Sequence, residues 1–176
     1  MIIPGIVITV VTFPGFVMQT LASRFCCDLL GVPVYEAHYF TGTIIHEKID
    51  SPVRAALVAF APFFVNTVLC AVLLFPVVFS FALDSFTDKQ AGIQLLLGWA
   101  GISIGMHALP ARATINHYLE SLPEDTRRGW IYSILLGTSA VFILIDLLKH
   151  LWFDLAYAVI VGIATPFLIT RLFMTL

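Results

Sequence analysis

Residues 55–83, AALVAFAPFFVNTVLCAVLLFPVVFSFAL, contain no Asp, Glu, Lys or Arg. An α-helix rises about 1.5 Å per residue, so about 20 apolar residues cross the roughly 30 Å hydrocarbon core of a bilayer. This run is longer than that. Pro62 and Pro76 lie inside it. Each removes an intrahelical hydrogen bond and crowds the preceding turn, so the run reads as one tilted or kinked helix rather than two.

Four further segments, roughly 3–23, 91–109, 129–148 and 151–175, meet the same requirement. The composition agrees with them. The 176 residues are 60% hydrophobic, with nine Lys and Arg against eleven Asp and Glu, and the mean hydropathy is +0.98. A soluble domain of this length needs a far more charged surface. The expected fold is an all-α polytopic membrane protein, one membrane domain over 1–176 with about five transmembrane helices, its first partner being the lipid bilayer. A net charge of -2 with dispersed cations gives no footprint for nucleic acid. The opening Met-Ile-Ile-Pro-Gly has no basic stretch, so the first helix reads as a retained anchor rather than a cleaved signal.

Arg24, Lys48 and Arg54 follow the first span, Lys89 the second, Arg112, Arg127 and Arg128 the third, Lys149 the fourth, and Arg171 ends the fifth. Odd-numbered connections and the C-terminus hold seven of the nine cations. Cations stay on the cytoplasmic side, which predicts an integral protein of a cell membrane with its N-terminus outside and its C-terminus cytoplasmic.

Gly31 is expected to end the first helix. The stretch 32–49, VPVYEAHYFTGTIIHEKI, is β-branched and aromatic around Thr-Gly-Thr and predicts a short β-hairpin between helices 1 and 2. Open strand edges do not face lipid, so the hairpin belongs at the interface or in a cavity between helices. Residues 110–128, with Pro110, Pro123 and Glu-Asp-Thr-Arg-Arg, read as a polar connector holding at most one helical turn. Cys26, Cys27 and Cys70 lack CxxC or Cys/His spacing and read as small packing residues.

Within the first span, Gln19 and Ser23 share one helix face, with Thr20 beside them. Ser103 and His107 share a face of the third span, and the second brings Asn66 and Thr67. Polar side chains at this depth turn away from lipid, which predicts a shared polar interior between helices 1, 2 and 3.

FPG at 13–15, CDLLGVPVYEAHYF at 27–40, HEKIDSPVRAALVAFAPFFVNTVL at 46–69 and WAGISIGMHALP at 99–110 together resemble a family of small prokaryotic intramembrane zinc metalloproteases of the site-2-protease type. The resemblance covers a core of about 10–120 and leaves the two C-terminal helices, 129–175, as additions. It implies a His-Glu-x-x-His zinc site on the first helix, completed by an Asp after the HALP stretch. Carried across residue by residue, the first ligand falls on Gln19, the general base on Thr20, the second ligand on Ser23 and the third on Thr114. Zinc needs imidazole and carboxylate donors, and the bound water needs a base; an amide and three hydroxyls are poor substitutes. The resemblance therefore implies a degenerate, catalytically inactive member without zinc or other cofactor, a binding or structural subunit of a membrane complex. Its binding residues would be Gln19, Ser23, Asn66, His107, Tyr35, His38 and Tyr39, and its partner a membrane protein or transmembrane segment. In the enzymes resembled, substrate adds as a strand to the corresponding edge.

Two alternatives compete. A working metalloprotease would need other ligands, for which His38 and His46 beside the hairpin turn, with His107 and Glu36 or Glu47, are the available set. A small transporter or channel would use Asp146 and Asp154, which flank Lys149. Gly101 and Gly105 form a GxxxG step that suits internal packing or association with another protein.

Overall fold

The computed structural model describes residues 10–83, 88–110, 112–122, 130–148 and 152–174. The described residues form six helices, α1 (Phe13–Leu29), α2 (Pro52–Ala82), α3 (Asp88–Met106), α4 (Arg112–Ser121), α5 (Trp130–Leu148) and α6 (Phe153–Met174). Strands β1 (Val34–His38) and β2 (Thr43–His46) form an antiparallel hairpin between α1 and α2. The start of the first expected span, the Glu-Asp-Thr-Arg-Arg run and the turn at Lys149 and His150 lie outside the described residues.

α1 begins with proline in its first turn, where the missing N–H is no loss. It runs past Arg24 to Leu29, further than the span expected at 3–23. Gly31 stops it: φ is +67° there, Gly31 N–H donates to Asp28 O at 3.2 Å and Val32 N–H to Cys27 O at 2.9 Å. This is the Schellman closure, sealed by Val32 packing on Cys27. The chain then enters the hairpin, whose register pairs Val34 with His46 and His38 with Thr43, with an irregularity between Val34 and Glu36. Gly42, at φ +73°, closes the turn.

α2 is continuous through Pro62 and Pro76 for 31 residues, about 46 Å at helical rise. α2 and the Phe153–Arg171 part of α6 are long and apolar enough to cross a membrane, while the apolar part of α5, Tyr132–Asp146, is shorter. α3 ends at Met106, three residues sooner than expected, because the residues before Pro110 leave the helix through a tight turn in which His107 N–H donates to Ile104 O and Ala108 N–H to Gly105 O.

One expectation is corrected. The connector after Pro110 holds the ten-residue helix α4, not a single turn. Ile115, Tyr118 and Leu122 recur at helical spacing and are all nearly fully buried. The helix forms because Tyr118 and Leu122 of this stripe pack on Cys27, Ile49, Ala55 and Val58 from α1, the chain after β2, and α2.

α2 and α3 form the centre, with α1 and α6 packed against both. The close approach rests on glycine. A Cβ at Gly101 would lie 2.8 Å from Leu74 Cγ, one at Gly162 would lie 2.6 Å from Leu74 Cδ1, and one at Gly105 would lie 2.6 Å from Cys70 Sγ. The GxxxG step thus packs internally. Trp99 Nε1 donates to Val11 O at 2.8 Å and joins α3 to the entry of α1. Outward faces are apolar as well: Phe64, Val68 and Val72 on α2, Leu95 and Leu96 on α3, and Ile160, Ile163 and Leu168 on α6 are all at least 59% exposed.

Candidate functional site

A cavity of about 750 Å³ lies between α1, the hairpin, α2 and α4. Gln19 and Ser23, one helical turn apart, form its α1 wall, and Ala55, Val58, Ala59 and Pro62 supply an apolar α2 wall. Thr43, Ile44 and His46 of β2 border it, and Pro110 leads into Thr114, Tyr118 and Glu120 on the fourth side. Pockets of this volume, apolar with a few placed polar groups, suit ligand binding.

The four positions singled out by the resemblance separate into two kinds. Gln19, Ser23 and Thr114 line this one cavity. Among the described residues none of the three side chains has a hydrogen-bond partner. The amide and hydroxyls are therefore not tied to one another across the helix interface, as a collapsed site would require, and the cavity stays open. Thr20 is fully buried and turns towards the hairpin. Its Oγ1 lies 3.1 Å from Phe16 O and 3.3 Å from His38 O.

The donors do not fit a zinc site. Gln19, Ser23 and Thr114 themselves offer only uncharged oxygens, which are poor zinc ligands, and Thr20, where the resemblance would put a base, has only a hydroxyl beside backbone carbonyls. The set of His38, His46 and His107 is not assembled either. The register puts His38 at the turn end and His46 at the opposite end of the hairpin. His38 Nε2 lies 3.3 Å from Glu36 Oε2, His46 Nδ1 bonds Glu47 O at 2.7 Å, and His107 is on α3. Among the described residues no three His, Cys, Asp or Glu side chains are grouped to hold a metal.

A polar network joins helices 1, 2 and 3, but through the backbone at the start of α1: Gln19, Thr20 and Ser23, expected in it, lie at the cavity and under the hairpin instead. Ser103 Oγ donates to Thr12 O at 2.9 Å and accepts Gly15 N–H at 3.0 Å. His107 Nδ1 donates to Ser103 O at 2.9 Å, since a carbonyl only accepts, and its ring sits 4.1 Å from that of Phe16. Asn66 Nδ2 donates to His107 O at 3.0 Å. Thr67 joins Tyr157 on α6 at 2.7 Å.

Of the seven expected binding residues, only Gln19 and Ser23 reach the cavity. Tyr35 is exposed, His38 pairs with Glu36, and Tyr39 accepts Arg24 Nη1 at 2.8 Å, an interaction that raises the already high Arg24 pKa. Asp154 opens α6 and Asp146 lies near the end of α5; Lys149, their expected partner, is outside the described residues.

Lys48, Tyr118 and Glu120 are cavity residues that the sequence reading passed over. Tyr118 was detectable, because it lies on the apolar stripe of α4. Burial pushes its hydroxyl pKa up to about 12, so it stays neutral and able to donate at physiological pH. The chain matches no family model, no curated protein and no solved structure.

Proposed function

We propose that this chain is an integral membrane protein that binds an extended polypeptide segment of a membrane partner in the cavity without cleaving it, and so serves as a subunit of a membrane assembly. The observation that carries this reading is the lining of the cavity by Gln19, Ser23 and Thr114 beside β2. Their hydrogen-bonding groups are unpaired within the described residues. The hairpin has two strands, so β2 keeps one backbone edge unpaired among those residues. Free backbone and side-chain donors and acceptors next to apolar walls match what an extended peptide presents.

Membrane insertion is supported by the outward apolar faces, which are unfavourable in water and suited to lipid. The charge distribution favours the cytoplasmic side for the hairpin and α4. The resemblance to site-2-protease-like enzymes, carried by the residues quoted above, accords with a site of this kind whose reactive positions are replaced. Intact-complex mass spectrometry from native membranes tests the reading. The expected result is a reproducible, stoichiometric polypeptide partner of uncut mass. A chain that is always solitary, or one that carries stoichiometric zinc after growth in zinc-supplemented medium, overturns it.

A further inference from the structure

We propose that Thr20 is a latch on the cavity: its hydroxyl holds the tip of the hairpin on α1, and release of that hydrogen bond lifts β2 away from Gln19 and widens the way in. The inference rests on the cavity being the binding site proposed above.

The hairpin is closed at its base by Glu47 N–H, which donates to Pro33 O at 2.9 Å. Val34, Ile44 and Ile49 seat it on the apolar cluster that includes Cys27, Ala55, Val58 and Tyr118. At its tip, the part-buried polar attachment among the described residues is Thr20 Oγ1 to His38 O at 3.3 Å, made from the fully buried Thr20. The neighbouring bond from Arg24 to Tyr39 is exposed, so water competes for it and it adds little.

Thr20 carries one hydroxyl proton and has two acceptors, Phe16 O at 3.1 Å and His38 O at 3.3 Å. When it donates to Phe16 O alone, in the back-bond to residue i−4 that threonine makes within helices, the donor stays satisfied. His38 O also stays satisfied, because it accepts Gly42 N–H at 3.1 Å and Thr41 N–H at 3.2 Å. Neither arrangement strands a buried polar group, so release costs the one hydrogen bond to His38 O and not the larger penalty of an unsatisfied donor or acceptor.

Gly42 shows that the tip is shaped for the closed arrangement. A Cβ at that position would lie 2.9 Å from Gln19 Oε1 and 3.1 Å from the Phe16 ring. With φ at +73°, a conformation that other residues rarely adopt, glycine is what lets the turn seat against the cavity wall. The β1–β2 ladder couples the tip to the whole of β2, so lifting the turn moves the strand that borders the cavity.

The test compares Thr20→Val, which keeps the shape and removes the hydroxyl, with Thr20→Ser, which restores it, in lipid nanodiscs. Hydrogen exchange is followed at residues 39–46 and in α2, together with peptide-resolved maleimide labelling of Ala59→Cys on the cavity wall. Thr20→Val is expected to speed both hairpin exchange and labelling at residue 59 by about two- to tenfold, the factor one hydrogen bond supplies. Exchange in α2 is unchanged, and Thr20→Ser behaves as wild type. Wild-type rates in Thr20→Val overturn the latch, and so does acceleration spread equally through α2, which would make Thr20 a general packing residue. Both readouts use the chain alone, so the latch can fail while the polypeptide site stands, and the reverse.

Discussion

Asn66 Nδ2 donates to His107 O at 3.0 Å and ties the middle of α2 to the turn that follows α3. That turn leads through Pro110 to Thr114, so the bond sets where the fourth wall of the cavity begins. Asn66 is fully buried, and its Oδ1 has no partner among the described residues. Asn66→Ala leaves His107 O without this donor and is expected to cost about 1–2 kcal/mol. A lowered thermal midpoint in detergent measures it; an unchanged midpoint would mean that the bond contributes nothing net.

Glycine contacts make a sharper comparison. Gly105→Ala places a methyl group 2.7 Å from Ala158 Cβ and 3.1 Å from Ala158 Cα, so α6 must move. Overpacking of this kind costs about 1–3 kcal/mol. Gly137 on α5 has nothing within 4 Å of an added Cβ, and Gly137→Ala is expected to be neutral or stabilising by up to about 1 kcal/mol, from helix propensity. Thermal unfolding of the two variants side by side gives the contrast.

Binding and stability are separable at the cavity. Gln19→Leu and Ser23→Ala remove groups that make no hydrogen bond within the described residues, so each is expected to stay within about 0.5 kcal/mol of wild-type stability. The same variants are expected to lose partner retention in native membranes. Equal loss of stability and retention would assign the two residues to packing instead.

Tyr118 predicts an alkaline limit. Its hydroxyl has an ordinary pKa of 10.0, and burial raises it to about 12 in the folded chain. Below the ordinary value both states keep the proton and stability is unaffected. Between the two values the unfolded state releases its proton first, so the folded state loses ground as pH rises. Stability curves of wild type and Tyr118→Phe are expected to run parallel below pH 10, and above it wild type is expected to lose stability relative to the variant.

Much of the fold was legible because it depends on length and on local signals. The uncharged run of α2, the glycine stop at Gly31 and the aromatic, β-branched hairpin each act over a few neighbouring residues. α4 is not legible because its burial is tertiary: Ile115, Tyr118 and Leu122 recur at helical spacing, but ten residues of modest hydropathy look like a connector until Ile49 and Val58 are there to cover Tyr118 and Leu122. The α1 part of the site, Gln19 and Ser23, could be read from helical spacing. Lys48 and Glu120 could not, since their meeting at one cavity depends on how the hairpin and α4 close on α2. Sequence separation alone makes His38 and His46 look like neighbours across a turn, yet a turn closing at Gly42 leaves His46 opposite Val34.

Site-specific photo-crosslinking in native membranes tests the central claim most directly. A benzophenone side chain is placed at Ile44, on the strand bordering the cavity, and separately at Val68, which is 61% exposed on the outward face of α2. Capture of one contiguous, uncut polypeptide segment from Ile44, absent from Val68 and abolished by Gln19→Leu, is the expected result. Lipid alone captured from Ile44, or a polypeptide recovered already cut within the captured segment, would contradict binding without cleavage.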